Sequence, residues 1–184
     1  MSRGREKGFS LIELLIVVAI MLILAAIAIP SLVRARMAAN EASAAASLKQ
    51  IGVANAAYST TYGMGYAGAL ANMGPPSGAC ATASSDCADL LDRTLSGINP
   101  PSPTPIKSGY LFEYFVPNVD PDPGNPNNTY SVVAVPMTPE SSGQSTFCFD
   151  NALSIYKDTS GAITDGDPTG CPPVWPVGGT VNPL

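Results

Sequence analysis

Glu13 stands at the head of an apolar run: no residue from Leu14 to Val33 is charged, and the next charge is Arg34. A carboxylate at the start of such a segment costs roughly 2.5 to 3.5 kcal/mol at a helix centre and less near an interface, so it asks for a partner. Four cysteines, Cys80, Cys87, Cys148 and Cys171, form a second reactive set. None makes the close C-x-x-C pair usual for an all-cysteine zinc site, and in an exported chain they are disulfide candidates. Three pairings exist in principle. Cys80 with Cys87 and Cys148 with Cys171 are favoured because each closes a local loop, for about 2.5 and about 3.4 kcal/mol in the chain-entropy treatment. The third set is carboxylate pairs two residues apart, Asp120 with Asp122 and Asp165 with Asp167, which invite a calcium ion. Neither loop has the alternating ligands and final bidentate glutamate of an EF-hand, and Pro121 and Pro123 restrict the first, so solvated turns and no cofactor are expected.

Histidine is absent from the chain. That removes Ser-His-Asp and Cys-His nucleophile pairs, His-ligated zinc and the commonest general base, so no enzyme is expected. Lys and Arg total 9 against 14 Asp and Glu, a net charge of -5, which leaves no basic surface for neutralising phosphates and makes nucleic acid a poor partner. Phe9, Tyr58, Tyr62 and Tyr66 could suggest a path for electrons, but the tyrosines on helical spacing are read as packing residues. Asn127-Asn128-Thr129 matches a glycosylation pattern that also occurs often by chance.

These groups must be positioned by two different kinds of segment. Arg3, Arg5 and Lys7 precede about 20 uncharged residues, enough to span a bilayer as a helix with the amino end inside. Beyond Met37 there are 12 acids and four bases, with 18 Pro and 17 Gly in the whole chain, as for an exported head rich in turns. The amino-terminal segment has three readings: a secretory signal cleaved near Ala26-Ile27-Ala28, a plain membrane anchor, or a segment processed and then used as structure. Neither of the first two has a use for Glu13.

Lys7-Gly8-Phe9-Ser10-Leu11-Ile12-Glu13-Leu14-Leu15 closely resembles the class III signal of type IV pilins and type II secretion pseudopilins. The resemblance implies cleavage between Gly8 and Phe9 by a prepilin peptidase, N-methylation of Phe9 by the same enzyme, and retention of the apolar helix as the packing element of a filament. It implies that Glu13 meets the terminal amine of Phe9 in a neighbouring subunit, and that Pro30 kinks the helix. The implied partners are identical subunits in a helical filament, the inner-membrane assembly machinery, and the membrane before assembly. The implied route runs from the inner membrane to an extracellular filament at the cell surface, or to the periplasm for a pseudopilin. The function expected is a structural pilus subunit, with a secretion pseudopilin or a minor tip subunit acting as an adhesin as alternatives. Farther on, Ser47 to Ile51, Tyr58, Tyr62-Gly63, Lys107 to Tyr110 and Thr129 to Val132 resemble short major pilins and pseudopilins. Gln50 stands where some major pilins carry a second helix proline, and some major pseudopilins bind calcium near the carboxyl end.

The fold expected is α+β and pilin-like, a long amino-terminal helix on a small antiparallel sheet of three or four strands. Residues 1–8 form the leader, 9–30 the hydrophobic transmembrane and assembly helix, 31–62 its amphipathic continuation, and 63–184 the head. Leu48, Ile51, Asn55, Tyr58 and Tyr62 recur at three and four residues and should underlie the head, with Lys49, Gln50 and Ser59 off the stripe. Gly63 and Gly65 end the helix, and a short second helix is expected over Ala88 to Leu95 with Asp86 as its cap. Strands are expected at Gly109 to Val116, Thr129 to Val135, Ser145 to Phe149 and Leu153 to Lys157. From Gly161 onward five prolines and five glycines predict an irregular tail pinned by Cys171, a disulfide-bounded loop like that of many type IV pilins.

Overall fold

The computed structural model describes residues 9–78, 80–98, 104–160, 166–171 and 181–183. Helix α1 spans Leu11–Tyr62 and contributes to two units, Met1–Arg36 and Met37–Leu184. In the first unit every large apolar side chain from Phe9 to Val33 is exposed, and α1 is long and apolar enough to cross a membrane. Pro30 lies inside the helix and has no N–H to offer the carbonyl one turn earlier, that of Ala26.

In the second unit α1 buries a face against the sheet. Ala44, Leu48, Ile51, Asn55 and Tyr58 are almost wholly covered, whereas Lys49 and Gln50 are exposed. The period of 3.6 puts the covered residues on one side because each lies three or four from the next. Gly63, with φ +67, donates its N–H to Ser59 O and closes the helix in the left-handed region that glycine takes without a Cβ clash.

Among the described residues the sheet has six antiparallel strands in chain order: β1 Ile106–Lys107, β2 Tyr110–Phe115, β3 Ser131–Pro136, β4 Thr146–Asp150, β5 Ile155–Asp158 and β6 Val181–Pro183. Phe112 lies opposite Ala134 and Ala134 opposite Phe147, while Val132 lies opposite Phe149 and Phe149 opposite Ile155. Alternation along each strand turns these residues and Tyr110 toward α1. Val133 and Cys148 face the other way, covered by Phe115, Val135, Tyr156 and Cys171. Each fully buried aromatic or aliphatic side chain in these layers contributes about 1.5 to 3 kcal/mol, so burial and not the surface ion pairs dominates the head's stability.

The structure corrects three expectations for the head. The sheet has six strands where three or four were expected, and the short β1 and β6 at its edges are the ones not foreseen. Of these, β6 replaces irregular chain at the end of the tail. No helix forms over Ala88 to Leu95. Instead the amides of Ala88, Asp89 and Leu90 donate to the carbonyls of Asn72, Gly74 and Met73 at 2.7 to 2.9 Å, and Asp89 takes φ +57, which no continuing helix allows. The partner of that segment is a 3₁₀ turn at Leu70–Met73, absent from the sequence reading. Asp92, not Asp86, serves as the local cap, accepting from the amides of Thr94 and Leu95 at 2.9 Å.

Candidate assembly site and head anchor

The amino-terminal site begins at Phe9, which is 81% exposed; Gly8 and the rest of the leader fall outside the described residues. Ser10 precedes the first helical residue, and its N–H donates to Glu13 Oε2 at 3.0 Å. Ser10-Leu11-Ile12-Glu13 thereby supplies the carboxylate half of a capping box, and the positive end of the helix dipole favours the acid there. Glu13 therefore has a partner within its own chain, a role the sequence reading passed over although S-x-x-E before an apolar run is its signal. Pro30 is flanked by an open apolar surface made by Ala28, Ile29, Leu32 and Ala35.

Several polar side chains anchor α1 to the head. Glu41 accepts from the amides of Gln144 and Ser145 at 3.1 and 3.2 Å and from Lys157 Nζ at 2.9 Å, and Asn40 Nδ2 donates to Ser142 O at 2.8 Å. Burial pushes the Glu41 carboxyl up, but Lys157 and the two amides outweigh it and hold its pKa below the usual 4.5. Farther along the helix, Asn55 Oδ1 accepts from Tyr114 Oη at 2.9 Å and from Ala67 N at 3.2 Å. Sequence reasoning put Asn55 on the stripe but missed Glu41, although Glu41 extends the same three and four spacing back from Ala44. Glu41 carries its charge on the covered side of the helix, where it serves as the anchor.

The sign of the Glu41 shift fixes a pH dependence. Because the folded pKa lies below the unfolded one, the stabilisation is complete above about 4.5 and is lost as pH falls through the folded value. Asp92, held low by the Leu95 amide and Lys107 against the upward push of burial, acts in the same direction. The thermal midpoint of the full chain in detergent should fall on acidification below pH 4.5, less steeply for Glu41→Gln. Equal slopes for the two proteins would remove Glu41 from this role.

Cys80 is bonded to Cys87 and Cys148 to Cys171, with Cα atoms 6.3 and 5.8 Å apart. The segment that carries Cys171 is also held by Ser131 Oγ on Asp167 O, Thr129 Oγ1 on Pro168 O, and its own N–H on Asp150 Oδ2. Of the calcium candidates, Asp165 lies outside the described residues. Asp122 Oδ1 accepts from the amides of Gly124 and Asn125, and Asp167 Oδ1 from the amide and hydroxyl of Thr169. The Thr169 contacts hold the Asp167 carboxyl below the usual range. The exposed carboxylate of Asp120 makes no such contact, and among the described residues no three acidic, Cys or His side chains gather as a metal site would need.

The amide of Asn127 is spoken for as well. It is 1% exposed, its Nδ2 donates to Tyr66 O and Asn118 O, and its Oδ1 accepts from Asn118 N. The glycosylation pattern at Asn127 therefore falls on a residue that ties the β2–β3 loop to the chain after α1. Gly65, with φ +75, lies so close that a Cβ there would strike Asn127 O. The tyrosines pack as expected of core: Tyr66 and Tyr114 meet the Tyr130 ring at 4.6 and 5.8 Å, and Tyr58 meets Tyr62 at 4.9 Å.

A long apolar amino-terminal helix joined to an antiparallel sheet is the layout of a pilin-like α+β protein. Residues 3–29 match the prokaryotic N-terminal methylation motif. Neither the curated proteins nor the solved structures yielded a match to the chain. The matched segment is the class III signal of type IV pilins and pseudopilins, a signal that implies a membrane-anchored precursor processed by prepilin peptidase.

Proposed function

We propose that this chain is the structural subunit of a type IV pilus-like extracellular filament, built by packing of α1 between identical copies after cleavage between Gly8 and Phe9. The observation that carries the reading is the apolar surface from Phe9 to Val33, exposed along its length with Glu13 at its amino end. Lipid tails cover that surface in the membrane, and copies of the same helix cover it in a filament. The small residues Ala19, Ala25, Ala26 and Ala28 let such helices approach closely. Nothing in this role calls for catalysis.

The mature chain should begin at N-methylated Phe9, and loss of Arg3, Arg5, Lys7 and Glu6 takes the net charge from -5 to -7. Mass spectrometry of sheared surface filaments should find this form as the dominant component. A terminus at Ile29 would overturn the pilin reading. A minor amount in filaments built mainly of another protein would make the chain a tip subunit, and confinement to the periplasm would make it a pseudopilin.

A further inference from the structure

The exposed face of α1 carries Lys49, Val53 and Ala56, and Leu153 and Phe149 complete an open apolar groove of about 360 Å³ beside it. Val53 is 71% and Leu153 67% exposed. Leu153 sits in the β4–β5 turn at φ +61, its N–H on Asp150 O. Glycine or asparagine would take that left-handed position with less strain, so a branched apolar side chain there costs the head backbone strain and, at 67% exposure, gains it little burial. Lys107 and Lys157 are paired with Asp92 and Glu41, but Lys49 on the rim of the groove has no ion-pair partner among the described residues.

An exposed apolar side chain next to an acid lies in the β2–β3 loop of the same head. Val119 is 78% exposed and is followed by Asp120, whose exposed carboxylate has no partner among the described residues. The loop is held firmly. Asn118 N donates to Asn127 Oδ1, Asn118 Nδ2 to Asn125 O, and Asp120 N to Asn118 Oδ1. Val119 O lies so close to Gly68 that a Cβ there would strike it. An apolar knob fixed in place before it meets anything loses little freedom on docking.

We propose that the Val119 knob of one copy seats in the Lys49, Val53, Ala56 and Leu153 groove of another, with Asp120 meeting Lys49. The inference rests on the filament reading and names a contact between heads within it. Charge selects the occupant: a lone lysine beside an apolar groove suits an apolar residue next to an unpaired acid, and this chain displays that pair. Knob and groove are different surfaces, so the contact is heterologous, the kind that can repeat from copy to copy along an open filament.

The test is made in cells expressing the full chain. Lys49→Glu and Asp120→Lys should each lower the yield of sheared filaments about tenfold, the size expected for juxtaposing like charges, and the double reversal should restore most of it. Leu153→Gly should raise the thermal midpoint of the purified chain in detergent and still lower filament yield, a pairing of effects that a purely structural Leu153 does not produce. Absence of filaments from wild-type cells would overturn the subunit reading and this contact with it. Wild-type filaments with unaffected single reversals, or a double reversal no better than either single, would overturn the contact alone.

Discussion

Glu13→Leu should yield a subunit that is cleaved, folded and disulfide-bonded in the membrane, while filament numbers should fall by about a hundredfold or more. The head does not sense the change, since Glu13 belongs to the first unit and the buried core to the second. The size of the loss depends on which of two jobs the carboxylate performs. As a cap on the Ser10 amide it is worth about 1 kcal/mol, and a neutral acceptor does that nearly as well. As the partner of a Phe9 amine in an adjacent copy it neutralises a charge in apolar surroundings, where leaving one partner alone costs about 3 to 5 kcal/mol. Glu13→Gln keeps the acceptor and drops the charge, so it should behave like Glu13→Leu in electron micrographs of cell-surface filaments. If Glu13→Gln assembles normally and Glu13→Leu does not, the residue acts as a cap. If both assemble at wild-type numbers, the intermolecular contact is unnecessary.

Cys148→Ser should weaken the head by about 3.4 kcal/mol, the loop-closure value for a bridge across 23 residues, and lower its thermal midpoint by roughly 7 to 14 °C. The loss goes beyond the chain model, because Cys171 and its segment cover the face of the sheet on which Val133 and Cys148 are wholly buried. The hydrogen bonds from Ser131 and Thr129 and to Asp150 contribute about 1 kcal/mol each, but each can open on its own, whereas the covalent bridge holds the segment through such openings. Limited proteolysis should therefore cut first near Cys171, and membrane insertion should be unaffected. Cys80→Ser, which opens a span of 7 residues, should cost less. A Cys148→Ser protein that melts within about 2 °C of wild type would show the covering segment to be held by other means.

The parts of this molecule that repeat a simple spacing could be read from the chain alone. The stripe through Leu48, Ile51, Asn55 and Tyr58 and the four inner strands are signals a dozen or fewer residues long, written in side-chain type. The two edge strands are not. Ile106–Lys107 is a strand only because Ser108 and Gly109, both at positive φ, form a two-residue turn that folds it onto Tyr110. That turn follows a proline-rich run that reads as loop. Ala88 to Leu95 fails in the opposite way. Its leucines have a helical look, but backbone carbonyls from a remote turn capture its amides, a competition that no local pattern announces. At the functional end, Glu13 was legible as a charge out of place, yet its hydrogen bond to Ser10 was hidden behind the family signal that shares those residues. Asn127 offers the converse, a short pattern suggesting modification where the fold uses the amide itself.

Packing heads along a filament raises their local concentration to a level at which an open β edge can recruit strands from its neighbours. The described sheet offers little to recruit. One edge is the two residues Ile106–Lys107, preceded by Pro105 and bearing a lysine, and the other is Val181–Pro183, ending in a residue with no N–H. Such edges are too short and too interrupted to template a cross-β ladder. Crowded heads can then lie side by side for the life of the filament as separate folded bodies, without fusing into an aggregate.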